Sequence, residues 1–429
     1  MSAVMIASFV ALLLIGVPIA FAMGLSALLA ILAHGGLPLS LLAQRALVGA
    51  DSYALLAIPF FILAGNLMNY GGITERLISF ANAVVGRFRG GLAQSTVLAT
   101  MLFSGISGSA VADASALGKV LIPAMKKQGY GGPFSAALMA SASVCGPIIP
   151  PSIPMVIYAL SVGKGVSIAA LFLGGVVPGL MLGGSLMAMA YFISTRRQFP
   201  VYDAVPWREL PGRALRAFPA ILTPVIILAG VTGGIVTVTE SAAVAVLYAL
   251  FVALVIYRGL RWKDIPKILV QTALDSALVM FIIALASGFG YLLAISGLPK
   301  EMAAWISSIS TNPLVILLAI NVLLLVVGCF MEAIAAMLIL IPVLIPVVEL
   351  VGIDLTHFGL VMVFNLCLGL LTPPVGILLY ICANFAGVKL EDEIREVIPF
   401  LAMGLLVLLL ITIFPELVLW FPRLLLGQL

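Results

Sequence analysis

The chain has 429 residues, of which 63% are hydrophobic and only 9% are charged, and its mean hydropathy is +1.27. This composition excludes a set of soluble domains and predicts an all-α polytopic membrane protein, because helices satisfy their own backbone polar groups in lipid. The net charge of +4 includes no basic block interleaved with aromatic residues, which argues against nucleic-acid binding. The sequence also lacks a G-x-x-x-x-G-K-[ST] phosphate loop, which excludes direct use of ATP by this chain.

Long apolar segments recur almost from end to end, and each is expected to cross a hydrocarbon core of about 30 Å. The first segment has no basic region before it and is longer than a signal-peptide core, so we expect a retained spanning helix. The nine spanning candidates are 4–33, 52–70, 133–161, 165–195, 217–235, 239–258, 268–296, 356–385 and 396–420.

Two further apolar stretches, 92–127 and 313–350, are too long for one crossing and too short for two. Gly, Ser or Pro interrupts each of them. This pattern predicts re-entrant helical hairpins, which enter the membrane and return to the same side. The amphipathic segments 73–88 and 298–309 precede the two hairpins, and we expect them to lie along the interface as supporting arms.

Each hairpin is followed by a spanning candidate that prolines interrupt. Residues 145–154 read CGPIIPPSIP, and residues 369–376 read GLLTPPVG. Because proline removes a backbone donor and clashes with the preceding turn, both segments predict broken helices. The first half-helix then ends in free carbonyls that suit a hard cation, while the second begins with free N–H groups that suit an anion.

An internal repeat becomes visible when the chain is shifted by 223 residues against itself. Repeat 1 is assigned to 1–195, with hairpin 92–127 and broken helix 133–161. Residues 196–238 form a cytoplasmic loop and a connecting helix, and 239–429 form repeat 2, with hairpin 313–350 and broken helix 356–385. The single connecting crossing predicts inverted topology. The shift superposes Gly65 on Gly288, Gly105 on Gly328, Pro123 on Pro346, Gly146 on Gly369, and Pro150-Pro151 on Pro373-Pro374.

The distribution of basic residues predicts the orientation. With the loop 196–216 in the cytoplasm, 17 of the 21 Lys and Arg residues lie inside. Only Arg45, Lys164, Lys300 and Arg423 then lie outside. Hairpin 1 is expected to open from the cytoplasm and hairpin 2 from the outer face.

Two acidic residues lie deep in the hairpins, Asp113 in the first and Glu332 in the second. An ionisable group at that depth is a functional candidate by default, although each could instead pair with a backbone N–H or with Lys119. The serines and glycines at 104–109 predict either close helix packing or a non-helical tip that exposes oxygens. Four cysteines without CxxC spacing indicate core packing, and two isolated histidines argue against a histidine metal site or a catalytic triad.

Five motifs resemble the large membrane subunit (M subunit, DctM-like) of tripartite ATP-independent periplasmic (TRAP) transporters, within the ion transporter superfamily. They are IPFFILAGNLM (58–68), SGISGSAVADASALG (104–118), GPIIPPSIPMVIYA (146–159), TVTESAAVAVLYA (237–249) and NLCLGLLTPPVGILLY (365–380). The resemblance implies sodium-coupled, elevator-type import of a small organic acid, such as a sialic acid or a C4-dicarboxylate, in the bacterial inner membrane. It implies no enzyme activity and no cofactor beyond Na⁺ as the coupling ion. The implied partners are a small four-helix membrane subunit and a periplasmic substrate-binding protein.

The resemblance also implies where the ions and the substrate bind. Val238 and Cys145 depart from the family pattern, which cautions against exact transfer of ligands. Sodium site 1 is assigned to Ser104, Gly105, Ser107, Gly146 and Pro150, and sodium site 2 to Gly328, Glu332, Gly369, Thr372 and Pro373. The substrate set is Ser109, Asp113, Pro151, Ser152, Asn365 and Pro374.

Other functions stay open at this stage. A stand-alone Na⁺- or H⁺-coupled dicarboxylate or citrate symporter would use a related architecture. A passive channel could also use re-entrant segments, although two inverted hairpins favour alternating gates. A membrane-embedded enzyme is the least favoured, since no dedicated nucleophile lies near Asp113 or Glu332. The sequence does not identify the organic acid.

Overall fold

The computed structural model describes residues 1–163, 165–199, 206–298, 301–302, 312–373 and 375–427. Every secondary-structure element among these residues is a helix. Eight of the described helices are long and apolar enough to cross a membrane. The predicted all-α polytopic class is therefore confirmed for the described part of the chain.

The prediction of one spanning helix over 4–33 is wrong. The segment forms two helices, Ser2–Leu14 and Ile19–His34, which pack against each other. Gly16 adopts a φ of +83°, a left-handed conformation that glycine allows, and Pro18 caps the second helix. At 1.5 Å per residue the helices are about 20 Å and 24 Å long, so neither alone matches a full hydrocarbon core.

The predicted spanning segment 396–420 is also wrong in its extent. The membrane helix runs from Leu390 to Ile413 and is followed by a separate helix, Glu416–Leu426, that packs against Ile168–Arg196. Pro415 caps this last helix at the break between the two. A hydropathy pattern continues across the break because both helices present apolar side chains.

The first group of helices is called the scaffold layer. Helix Ile265–Ile295 lies at its centre and packs against helices from the first half of the chain. Asn66 Nδ2 donates a hydrogen bond of 3.0 Å to Thr272 Oγ1, so Asn66 joins two scaffold helices rather than lining a break. The layer comprises Ser2–Leu14, Ile19–His34, Ser40–Ala50, Ala57–Tyr70, Ile73–Val85, Leu210–Thr232, Val238–Phe251 and Ile265–Ile295, with short segments at Tyr53–Leu56, Trp207–Glu209, Val252–Ile256 and Trp262–Asp264.

The remaining helices form the hairpin layer. Hairpin 1 is Gly91–Ser107 with Ala110–Lys127, and hairpin 2 is Pro313–Phe330 with Ala333–Leu350. The two layers meet where Gly290 of the scaffold faces the ring of Pro342 in hairpin 2. Break 1 (144–152) separates Gly132–Ser143 from Ile153–Val162, break 2 (370–376) separates Leu355–Gly369 from Ile377–Ala386, and Ile168–Arg196, Leu390–Ile413 and Glu416–Leu426 complete the layer.

Helix bounds in the two halves follow the shift of 223 residues found in the sequence. The second helices of the hairpins, Ala110–Lys127 and Ala333–Leu350, begin and end 223 residues apart. The helices that follow begin at Gly132 and Leu355, the same distance apart. Inversion of the repeats and the re-entrant path of the hairpins stay predictions, because both helices of hairpin 2 are long and apolar enough to span.

The predicted interface arms have different outcomes. Helix Ile73–Val85 lies within the predicted 73–88 and packs against hairpin 1 and Leu210–Thr232. The second arm, 298–309, falls almost entirely outside the described residues.

Candidate ion and substrate site

The tip of hairpin 1 is a two-residue turn held by small side chains. Helix Gly91–Ser107 ends at Gly108, whose φ is +62°, and Ser109 caps the next helix by accepting a hydrogen bond from the N–H of Ala112. A Cβ on Gly108 would lie 2.8 Å from the Pro151 carbonyl oxygen. Glycine is therefore required twice here, for its backbone conformation and for contact with break 1.

Asp113 places a carboxylate directly behind this tip. The residue is fully buried in the first turn of its helix, where the dipole favours a negative charge. Its Oδ2 lies 2.7 Å from Ser104 Oγ, and its Oδ1 accepts a short hydrogen bond from Ser107 Oγ. Lys119 does not supply the partner considered from the sequence, since its Nζ lies over the ring of Phe385. The structure thus brings the substrate candidate Asp113 together with two residues assigned to sodium site 1.

Break 1 lies against the same tip. A Cβ on Gly146 would be 2.8 Å from Asp113 Oδ2, so this glycine lets the break approach the carboxylate. The Pro150 carbonyl oxygen lies 3.6 Å from the position of a Cβ on Gly105. Ser152 is buried, donates to the Pro147 carbonyl oxygen at 2.5 Å and caps the following helix. All five residues of predicted sodium site 1 therefore lie at one contact between tip and break, while the Ser152 hydroxyl is used within the break.

Hairpin 2 places Glu332 where hairpin 1 has Ser109. Its Oε2 accepts hydrogen bonds from the N–H groups of Ile334 at 2.8 Å and Ala335 at 3.1 Å. Glu332 therefore caps the second helix of its hairpin, which is the backbone role foreseen as the alternative to a functional one. The 223-residue correspondence joins two N-cap residues, one neutral and one acidic.

Two glycines bring hairpin 2 into backbone contact with the second broken helix. A Cβ on Gly369 would lie 2.6 Å from the Cα of Gly328, and a Cβ on Gly328 would lie 3.1 Å from the Cα of Gly369. The Thr372 hydroxyl donates to the Leu368 carbonyl oxygen at 3.0 Å, and Pro373 follows it in break 2. Pro374, a predicted substrate residue, lies outside the described residues.

Asn365 belongs to a buried polar chain that the sequence did not predict. Its Nδ2 donates to the Asn321 carbonyl oxygen at 3.0 Å and to Asn321 Oδ1 at 2.9 Å. Asn321 Nδ2 in turn donates to Thr412 Oγ1 at 2.8 Å. Among the described residues, Asn365 Oδ1 finds no hydrogen-bond donor although it is buried. One side of the Asn365 amide therefore ties three helices together, and its oxygen keeps an acceptor position open.

The two halves of the candidate site are connected by specific contacts. Tyr158, in the helix after break 1, donates from its hydroxyl to the Leu355 carbonyl oxygen at 2.7 Å. Lys126, near the end of hairpin 1, donates from Nζ to the Ala386 carbonyl oxygen at 2.5 Å. Both bonds cross between the repeats. The hairpin layer is thereby held as one body around the two tip and break contacts.

The donor set determines which ligands this region can take. In the described ranges, no group of three His, Cys, Asp or Glu side chains could hold a transition metal. Each tip and break contact instead combines backbone carbonyls, hydroxyls and one carboxylate. Such oxygen donors suit hard cations. Helix N-termini beginning after Ser109, Ser152 and Glu332 present backbone N–H groups, which suit an anion.

Comparison with known proteins gives a consistent result. A family model described as "Tripartite ATP-independent periplasmic transporter, DctM component" matches residues 6–417. The sialic acid TRAP transporter large permease protein SiaM of Vibrio cholerae is 41% identical over 416 residues, covering 97% of each chain. The C4-dicarboxylate TRAP transporter large permease protein DctM of Pseudomonas aeruginosa is 42% identical over 401 residues, covering 94% of this chain and 93% of that one. In fold, the chain is similar to the YdaH transporter of Alcanivorax borkumensis, with a TM-score of 0.61, 16% identity and 87% of each chain covered.

Proposed function

The chain belongs to the DctM family of TRAP transporter large permeases, and from this premise we propose that it imports a small organic acid anion coupled to Na⁺. It is a multi-pass protein of the bacterial inner membrane. Relatives are named as permeases for sialic acid and for C4-dicarboxylates, which supports an anionic substrate. The proposed partners are a small four-helix membrane subunit and a periplasmic protein that delivers the acid.

The observation that carries the coupling proposal is the position of Asp113. Its buried carboxylate lies within hydrogen-bond distance of two hydroxyls, and Gly146 of break 1 packs against it. Burying a lone carboxylate is costly unless hydrogen bonds or a counter-charge compensate it. A Na⁺ ion bound among Asp113, Ser104 and the carbonyls of break 1 would supply that counter-charge. An organic anion could then bind beside the cation.

An elevator movement of the hairpin layer against the scaffold layer is part of the proposal. The bonds from Tyr158 and Lys126 join both repeats within the hairpin layer, which supports movement as one body. If Ser2–Leu14 and Ile19–His34 both cross the membrane, each repeat contains five crossings and the inversion is retained. No Lys or Arg precedes Arg45, so this correction leaves the positive-inside count unchanged.

Uptake into proteoliposomes tests the function. We expect transport of the cognate acid to need an inward Na⁺ gradient, the small subunit and the binding protein together. N-acetylneuraminate and succinate are the first candidates to assay. Uptake that continues without Na⁺, driven by a proton gradient, would contradict the coupling. Uptake by the purified large subunit alone would instead support the stand-alone symporter.

A further inference from the structure

A cavity of about 410 Å³ lies between the scaffold layer and the hairpin layer, and none of the predicted site residues lines it. Helices Ser40–Ala50 and Ile265–Ile295 form one wall, and helices Ile153–Val162 and Ala333–Leu350 form the other. Its polar side chains are Ser52, Ser161 and Ser287, and the other lining residues are apolar or glycine. Of the described residues that line it, none is charged.

Two of the wall helices begin at the candidate site. Helix Ile153–Val162 is capped by Ser152 and reaches the cavity at Ile157 and Leu160. Helix Ala333–Leu350 is capped by Glu332 and reaches it at Leu338. At 1.5 Å per residue, Leu160 lies about 12 Å beyond Ser152 and Leu338 about 9 Å beyond Glu332. The cavity is therefore one to two helical turns from the site along both helices.

The cavity lies on the side of the membrane from which an imported solute arrives. The positive-inside orientation places the loop before Ser52 and the loop after Ser161 on the outer face. Helix Ala333–Leu350 approaches the same face at its carboxyl end. The cavity is thus in the outer half of the protein.

Arg45 adds a positive charge beside this cavity. It precedes the lining residues Val48 and Gly49 by three and four positions, so the three share one helix face. The Arg45 guanidinium carbon lies 3.7 Å from the ring centroid of Tyr291, next to the lining residue Gly290. Asp51, which follows the same helix, is exposed and does not line the cavity.

We propose that this cavity is an outer vestibule through which the organic anion passes to the candidate site. Arg45 raises the local concentration of the anion, because a fixed charge beside a cleft with apolar walls attracts counter-ions. Ser52, Ser161 and Ser287 offer hydroxyl donors that carry no charge, so the anion is guided without being held. The volume is within the usual range for sites that take small molecules. The inference rests on the proposed function for the identity of its ligand.

Cysteine modification tests the vestibule without a transport assay. Ser161→Cys and Ser287→Cys would be made separately in the full transporter, whose four native cysteines are all buried. Each would react from the outside with an anionic and a cationic probe, sulfonatoethyl and trimethylammonioethyl methanethiosulfonate. Rates would be divided by the rates with a free thiol. We expect an anion preference of about fivefold at low ionic strength, decreasing as salt is added.

Matched variants separate the charge of Arg45 from its packing. Arg45→Gln should abolish the anion preference at both cysteines, whereas Arg45→Lys should keep it. Leu278→Cys, on the same helix as Ser287 and 63% exposed, is the control and should show no preference. Failure of both cysteines to react from outside, or an unchanged preference in Arg45→Gln, would overturn the proposal. These rates need no Na⁺ gradient, so their outcome is independent of the uptake experiment.

Discussion

Asp113 is the residue on which the candidate site depends most directly. It is far from solvent, its hydrogen bonds come from hydroxyls, and a glycine of the opposite break packs against it. The residue types were identifiable from the sequence, since a carboxylate within an apolar hairpin is unusual. Its pairing with Ser104 and Ser107 was not, because it depends on the left-handed turn at Gly108 that folds one helix end onto the start of the next.

Replacing Asp113 by Asn tests whether the carboxylate attracts the coupling ion. We expect Asp113→Asn to raise the Na⁺ concentration for half-maximal uptake at least tenfold, because a buried charge interacts strongly with a cation nearby. Initial uptake rates across a Na⁺ titration provide the measurement. Asp275→Asn is the matched control, since Asp275 accepts a hydrogen bond from Gln271 at an exposed position. Unaltered Na⁺ dependence in a folded Asp113→Asn protein would assign the carboxylate a structural role only.

Among the elements, breaks were easier to predict than contacts. Both hairpin turns and both broken helices lie where Gly, Ser and Pro interrupt apolar sequence, because these residues act locally on the backbone. The turn at Gly16 and Pro18 used the same signals but lay inside an uninterrupted apolar run, and it was missed. The chain of Asn321, Asn365 and Thr412 was missed for another reason. Its members lie 44 and 91 residues apart on separate helices, so no local pattern marks them.

The polar chain predicts a stability effect that should be independent of ion binding. Asn321→Ala removes hydrogen bonds to both Asn365 and Thr412. We expect a loss of about 1 kcal/mol, since hydrogen bonds between membrane helices are individually modest. Thermal unfolding of the purified subunit would measure it. Ser185→Ala, which removes a bond within one helix, should change stability less. Equal effects of the two substitutions would mean that the chain does not tie the helices together.

For the whole molecule, the correction at the amino terminus changes the expected topology. A single crossing over 4–33 would place the amino terminus in the cytoplasm, whereas two crossings place it outside. The four-residue connection between Leu14 and Ile19 would then face the cytoplasm. Composition and hydropathy predicted the class and nearly all the later helices, but a hydropathy window cannot distinguish one long helix from two short ones.

Residue-specific labelling in intact cells tests this topology. We expect Ser2→Cys to react with a membrane-impermeant maleimide added from outside, and Val17→Cys to react only after the membrane is permeabilised. Asp51→Cys, in the outer loop under either topology, is the positive control. The opposite pattern at residues 2 and 17, with Asp51→Cys still reactive, would place the amino terminus in the cytoplasm.

The contact between Gly290 and Pro342 bears on how one layer could travel along the other. A Cβ on Gly290 would lie 3.0 Å from the proline ring, so the two surfaces touch without any side chain inserted between them. Glycine has no side chain to interlock, and the proline ring has no N–H to donate. Displacement along the helix axis therefore exchanges van der Waals contacts of about 0.1–0.2 kcal/mol each and breaks no directional bond at this point. At this position the boundary has the properties of a sliding bearing, in which resistance to movement is set by shape alone.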